Sequence, residues 1–425
     1  MNKKNIKRVA LAGLSALTLA SCSSTNKTVK DNPNGEISAP SSDYSDIDSE
    51  YLILSNAQRE AINNGNTFAI NLFKSQIGME SKVLSPLSVS YLMGMLANGA
   101  DGKTQKEVLK TLGVGDLSLQ TLNESYRIML NIAAKKDKST TINIANCIAA
   151  DKRFALKNKF KETVGSMFDA NVESLDFTSN SAVNHINGWC SKQTNGMIPK
   201  IIDQLKPEDV AVLMNAIYFD GTWTSTFDKN ATKEENFRGY TRDIKRVKMM
   251  HQNDKFQYMS NDTFEAVELP YGNGSYTMTV LLPKNGVSIE EMMNGLDAQK
   301  ISSLYRDMSE CIVDLKLPKF TTSTETTLND AISKLGAPSI FTSAANFSNM
   351  SDANIYISKM LQKAKIEVSE EGTKAAAVTI GMVAMTSLNP NEPRRVNFHA
   401  NRPFVYLITE QQTGAIFFIG QYLGE

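Results

Sequence analysis

The sequence predicts an α+β fold, and three observations carry that reading. Apolar residues recur at helical spacing through much of the first half of the 425-residue chain. Alternating or continuous apolar runs dominate the second half. The two patterns are segregated rather than interleaved as regular βαβ units. Beyond residue 52 no stretch has linker composition, so residues 53–425 read as one large domain with ample core.

The chain opens on a targeting signal. "MNKKNIKR" is a basic lead, and "VALAGLSALTLA" is an apolar run too short to span a bilayer. It ends in "LASC", which resembles the bacterial lipoprotein box, with residues 1–21 as signal peptide and Cys22 as the lipidated residue. The alternative is an ordinary secretory signal cleaved nearby, with Cys22 incidental. Dual acylation anchors stably without a membrane helix. The expectation is a lipid-anchored, exported protein of a bacterial cell envelope, periplasmic or surface-exposed. Residues 22–52 are rich in Ser, Asp, Asn and Pro and read as a flexible tether.

The domain's helices come first. "NTFAINLFKSQI" places Phe68, Leu72 and Phe73 on one helical face. "SPLSVSYLMGMLANGADGKTQKEVLKTLG" starts a helix near Pro86, breaks at Gly-Ala-Asp-Gly and starts another. Later, "SYTMTVLLPK" and "CIVDLKLPKF" read as strands, and "RPFVYLITEQQTGAIFFIGQYL" as a hairpin about a polar turn.

Composition narrows the function. Lys+Arg and Asp+Glu are both 45, so no net field favours nucleic acid or an anionic surface. Besides Cys22 there are Cys147, Cys190 and Cys311, whose spacing fits neither a zinc pattern nor CxxC. Buried free thiols are expected, with one disulfide left open for an exported chain. The sequence lacks GxSxG, HExxH, a P-loop and a complete GxGxxG, so neither a cofactor nor a metal is expected. His185, His251 and His399 read as structural, and no serine has a base placed beside it.

The stretch "EEGTKAAAVTIGMVAMTSLNPNEPRR" (370–395) stands apart, because residues 375–391 carry no ionisable side chain. A membrane helix, a buried helix and a strand held in reserve are the candidates. The apolar part is shorter than the roughly 20 residues a span requires. Alanines suit a helix, but Val378, Thr379, Ile380, Gly381 and Val383 favour extended structure. With a period of two, Thr373, Ala375, Ala377, Thr379, Gly381 and Val383 share one small, uncharged face, and Lys374 lies on the other. Such a segment invites aggregation unless the same molecule has a place for it.

"EEGTKAAAVTIG" resembles the hinge of inhibitory serpins. "FHANRPFVYLI" resembles the family's C-terminal signature, "NAIYFDGTW" its central strand and breach, "SPLSVS" the start of its helix B, and "LPKF" a further core strand. The motifs occur in family order along most of the domain. The resemblance implies a serpin fold, with three β-sheets, about nine helices and an exposed reactive-centre loop at about 370–395. It implies a suicide-substrate inhibitor, not an enzyme, that forms a covalent complex with a serine protease. Cysteine proteases are a further target class. A monomer is expected, touching membrane only through its lipid.

Residue by residue, the resemblance assigns Glu370, Glu371, Gly372, Thr373, Ala375, Ala376 and Ala377 to the hinge. The reactive bond falls at Thr386–Ser387, with Met385–Thr386 competing, and Val383, Ala384 and Met385 set specificity. These residues include no Lys or Arg, which favours elastase-like or subtilisin-like proteases over trypsin-like ones. Trp223, Lys319, Ser85, Ser88, Asn215 and Gln362 belong to the region where the main sheet parts, with Glu370 expected to pair with Lys319. Gln362 stands where many serpins have His, which puts the energetics of opening in question. The alternatives are a non-inhibitory serpin-fold binding or structural lipoprotein and an unrelated hydrolase.

Overall fold

The computed structural model describes residues 53–135, 137, 139–373 and 393–424. The sites placed by sequence at Cys22, Ala375 to Ala377, Val383 to Met385, Thr386 and Ser387 lie outside these residues, as do the signal and tether.

Helices dominate the first half: α1 (Asn56–Lys74), α2 (Pro86–Gly99), α3 (Gly102–Thr111), α4 (Leu119–Lys135), α5 (Asn158–Phe168) and α6 (Asn180–Gln193). Three more, α7 (Ile289–Asn294), α8 (Ala298–Asp307) and α9 (Asn329–Leu335), lie among later strands. Helix α1 starts at a capping box, in which Ser55 accepts from the Gln58 amide and Gln58 accepts from the Ser55 amide. Helix α2 is apolar nearly all round, and Val89 to Ala97 are buried without interruption. Pro86 fixes its first turn and Ser85 caps it. The predicted break to α3 falls at Ala100 and Asp101.

The first four strands are β1 (Lys82–Leu84), β2 (Thr140–Asp151), β3 (Asn171–Leu175) and β4 (Ala211–Thr222). Then come β5 (Lys233–Arg238), β6 (Ile244–Ser260), β7 (Phe264–Tyr271), β8 (Tyr276–Pro283), β9 (Ser309–Pro318), β10 (Phe320–Thr327), β11 (Ile357–Ser369), β12 (Gly372–Thr373), β13 (Arg395–His399), β14 (Phe404–Glu410) and β15 (Ile416–Tyr422). The hairpin read at the C-terminus is β14 paired with β15. "LPKF" spans two strands: Pro318 ends β9, Phe320 opens β10, and Lys319 stands between them.

One sheet has the order β10-β11-β12-β4-β2-β3. The other ladder runs β1-β15-β14-β8-β7-β6-β9-β13, with β5 joined to β6. Strand β6 runs through two regions of that ladder. Residues Ile244 to Met249 pair with β5, Met249 to Tyr258 with β9, and its last three with β7. The three expected sheets are therefore present with two of them fused through β6. Nine α-helices occur among the described residues.

The main core lies on one face of β4, where Ile217 and Phe219 join α2 and the second ladder. The opposite face contributes Val212, Met214 and Ala216 to a second cluster with Ile186 and Cys190 of α6. Cys147, Cys190 and Cys311 are free thiols and buried. Among the described residues no helix is long and apolar enough to cross a membrane, and no group of His, Cys, Asp and Glu is arranged to hold a metal. The histidines make polar contacts: His185 with Glu173, and His251 and His399 with the two oxygens of Asp314.

Candidate functional site between two parallel strands

Strands β4 and β11 run parallel and pair directly, from Ile357 opposite Ala211 to Lys365 opposite Tyr218. Near their far ends the pairing stops, and the two residues of β12 enter between them. Thr373 and Gly372 pair antiparallel with Val368 and Ser369 on β11, and with Gly221 and Thr222 on β4. This is one rung of an antiparallel strand set into an otherwise closed parallel pair.

Sequence chemistry explains why these two residues fit. Gly372 has φ +150°, and a Cβ there would lie 2.1 Å from the Gly221 carbonyl oxygen. Gly221 is itself confined, since its own Cβ would meet the rings of Phe219 and Tyr271. Thr373 is fully buried, and its Oγ1 is 2.6 Å from the Tyr271 hydroxyl. Small size and one short polar group are what this position accepts.

Trp223 holds the approach to the rung. Its indole stacks on Tyr271 with centroids 4.3 Å apart, its Nε1 donates to the Ser369 carbonyl, and its backbone amide donates to that of Glu371. The Phe227 amide donates to the Glu370 carbonyl. The Glu370 side chain is buried, accepts from Lys319 Nζ at 2.9 Å and accepts from the Thr232 hydroxyl at 2.9 Å. Burial alone pushes its carboxyl up, but the hydrogen bonds from Lys319 and Thr232 outweigh this and hold it below the ordinary value. Glu371 pairs with Lys229.

Further along the same pair of strands sits a buried polar cluster. Gln362 on β11 donates to the Ser85 carbonyl at 2.8 Å and to Asn215 Oδ1 at 3.3 Å, and its Oε1 accepts from the Ser85 amide at 3.0 Å. Ser85 Oγ bonds Ser88 Oγ at 3.0 Å, and Asn215 donates to Asn146 Oδ1 at 3.0 Å. Gln362 thus ties β11 to β4 and to the cap of α2. A primary amide supplies two donors and an acceptor, and all three are used here. Substituting Gln for His leaves no hole in this network.

The structure brings Glu370, Glu371, Gly372, Thr373, Trp223 and Lys319 together at one end of the parallel pair, and Ser85, Ser88, Asn215 and Gln362 into the cluster farther down it. Tyr271, Thr232, Lys229 and Asn146 also belong to these sites, and the sequence reading did not find them. Gly221 lay inside "NAIYFDGTW", where a glycine in a strand is a signal of close backbone approach. Tyr271 sits in "ELPYGNG", where nothing local distinguishes it from another core tyrosine.

Comparison with known proteins agrees with this geometry. The family model described as "Serpin (serine protease inhibitor)" matches residues 63–424. Iripin-2 of Ixodes ricinus is 34% identical, with 87% of this chain and 95% of that protein covered. The human leukocyte elastase inhibitor is 31% identical, with 85% and 99% covered. Among solved structures, the thermophilic serpin Tengpin in its native state superposes with a TM-score of 0.81 at 30% identity, covering 88% of this chain and 96% of that one. Human thyroxine-binding globulin superposes with a TM-score of 0.79 at 27% identity, covering 87% and 100%. With the matched family model, the α+β architecture and a two-residue antiparallel rung set between parallel strands, the chain belongs to the serpin family, whose members are in general protease inhibitors rather than catalysts.

Proposed function

We propose that this serpin is a suicide-substrate inhibitor of serine proteases, anchored by lipid at Cys22 on a bacterial envelope. The protease's serine attacks the carbonyl of Thr386, the Ser387 amine departs, and an ester joins enzyme to inhibitor. The segment from Thr373 onward then enters between β4 and β11 as a full strand, carrying the protease with it and leaving its active site too distorted to hydrolyse the ester. Val383, Ala384, Met385 and Thr386 suit the small apolar pocket of an elastase-like or subtilisin-like enzyme.

The observation that carries this reading is the rung at Gly372 and Thr373, which is already paired on both sides in antiparallel sense. An entering strand adds roughly ten backbone hydrogen bonds at ~0.5–1.5 kcal/mol each. That is comparable to the whole stability of an ordinary domain, and enough to deform a partner. The uncleaved form is then held by a kinetic barrier, and cleavage releases the strain.

The likeness to thyroxine-binding globulin favours a second reading, a non-inhibitory serpin that binds or displays. Mixing the exported domain with elastase and with trypsin separates the readings. An SDS-resistant complex with elastase supports inhibition, and loop cleavage without a complex supports the second reading. Mass spectrometry of the released fragment fixes the bond, and a fragment beginning at Ser387 is expected.

A further inference from the structure

We propose that the cleft between β6 and β7 binds an organic monocation, an amine or amidine with an apolar body, and that Glu268 is its counter-ion. The site is independent of the protease-inhibitor reading. Strands β6 and β7 pair only from Tyr258 opposite Val267 to Ser260 opposite Glu265. Toward Lys255 they part, because β6 stays with β9 as far as Met249 while β7 continues with β8 to Tyr271. The parting leaves a cleft of about 370 Å³ lined by Phe256, Gln257, Glu268, Pro270, Thr277 and Gln411, among others. That volume suits a small organic ligand.

Charge selects the ligand. Lys255 and Glu310 also line the cleft, and they neutralise each other at 2.9 Å. Glu268 is half-buried and has only neutral donors among the described residues. Gln411 Nε2 lies 3.3 Å from its Oε1, and that same nitrogen donates to Thr277 Oγ1 at 2.6 Å. The Gln411 backbone amide is fixed on the Ser275 carbonyl at 2.9 Å. Burial pushes the Glu268 carboxyl above its ordinary value, the mark of a charge with too little to offset it. A carboxylate drawn partly out of water with no cationic partner is stabilised by a cation brought to it. Phe256 and Pro270 offer apolar contact to the rest of such a ligand, and with Lys255 and Glu310 neutralised the single charge of Glu268 calls for a single positive charge.

Benzamidine and its neutral counterpart benzamide test this by calorimetry on the full chain, with no protease present. Benzamidine is expected to bind, and benzamide at least tenfold more weakly. Glu268→Gln is expected to weaken benzamidine at least tenfold, a charged hydrogen bond being replaced by a neutral one. In the wild-type protein, acidification should weaken benzamidine beginning above the ordinary glutamate range. Equal binding of the two compounds, undiminished binding to Glu268→Gln, or no benzamidine binding at millimolar concentration would each overturn the assignment. The compound comparison and the pH series need only wild-type protein, so a variant that fails to fold does not protect the proposal. A negative result leaves the inhibitor reading untouched.

Discussion

The hydroxyls of Tyr271 and Thr373 lie 2.6 Å apart in a contact closed to solvent. Tyr271 belongs to the second ladder and Thr373 to the rung between β4 and β11. The contact therefore ties the rung to the second ladder, where the proposed insertion would begin. A charged side chain at residue 373 has to be buried there without a partner, at several kcal/mol. Thr373→Arg is expected to be cleaved by elastase at the normal rate while its covalent complex falls at least about tenfold, each 1.4 kcal/mol being tenfold. Gel analysis of complex against cleaved product reads this partition, and a full yield of complex would contradict the role given to the rung.

Gly372 tests the same rung from the backbone. A Cβ there meets the Gly221 carbonyl oxygen at 2.1 Å, which no side-chain adjustment relieves. Gly372→Ala should expel the rung, at a strain of roughly 1–3 kcal/mol. Trp223 reports it, since its Nε1 bonds the Ser369 carbonyl three residues before Gly372. In a background lacking Trp189, its emission should shift to the red.

Gln362 bridges β11 to β4 and to the cap of α2. Gln362→Leu strands the Ser85 amide and Asn215 Oδ1, each a buried group worth ~1–3 kcal/mol when left unpaired, while the Ser85 carbonyl keeps the Val89 amide. The urea midpoint should fall, and the intact protein should lose inhibitory activity faster on warming. An unchanged midpoint would show that the cluster does not hold the sheet closed.

Glu370 supplies the pH dependence. Its carboxyl is held below the ordinary 4.5, so the charged form is favoured in the folded protein. A depressed carboxylate stabilises above its unfolded value, and that contribution is lost as the pH falls through the folded value. Wild-type protein should therefore lose stability relative to Glu370→Gln as the pH falls through and below the ordinary glutamate range, with the difference constant above pH about 5. Urea midpoints across the range measure it. A difference that grows above pH 5 would point to another group.

Much of this was legible in the sequence, and the limit has a physical cause. Helix α2 and the β14–β15 hairpin announce themselves through local periodicity and turn residues. The assignment of Glu370, Lys319 and Trp223 to one region came from ordered motifs, not from spacing. Strand β2 sits within the helix-rich half and has no strict alternation, because it is buried on both faces along much of its length. Tyr271 became visible only in three dimensions, since its partner Thr373 is 102 residues away. The role of Gln362 depended on whether three distant polar groups met its amide, a question of geometry that composition does not answer.

On the proposed mechanism, the rung also sets the register of the strand that enters after cleavage. Thr373 faces Val368 and Gly221, so each later residue moves one step back along both neighbours. Ala377 then falls opposite Ala364 and Ile217, both fully buried, on the face that carries Phe219 toward the main core. Ala376 falls opposite Lys365 and Tyr218 on the other face, where the Lys365 ammonium is already paired with Glu367 and partly exposed. A glutamate is ruinous at the first position and compatible with the second. Ala377→Glu should be cleaved without forming complex, whereas Ala376→Glu should keep most of its inhibition, and the cleaved Ala376→Glu protein should still melt well above its intact form. The alternation is specific to this register, since a slip of one residue exchanges the two outcomes. Complex yield and melting temperature on the pair of variants decide whether the rung at Gly372 and Thr373 is the first step of the inserted strand.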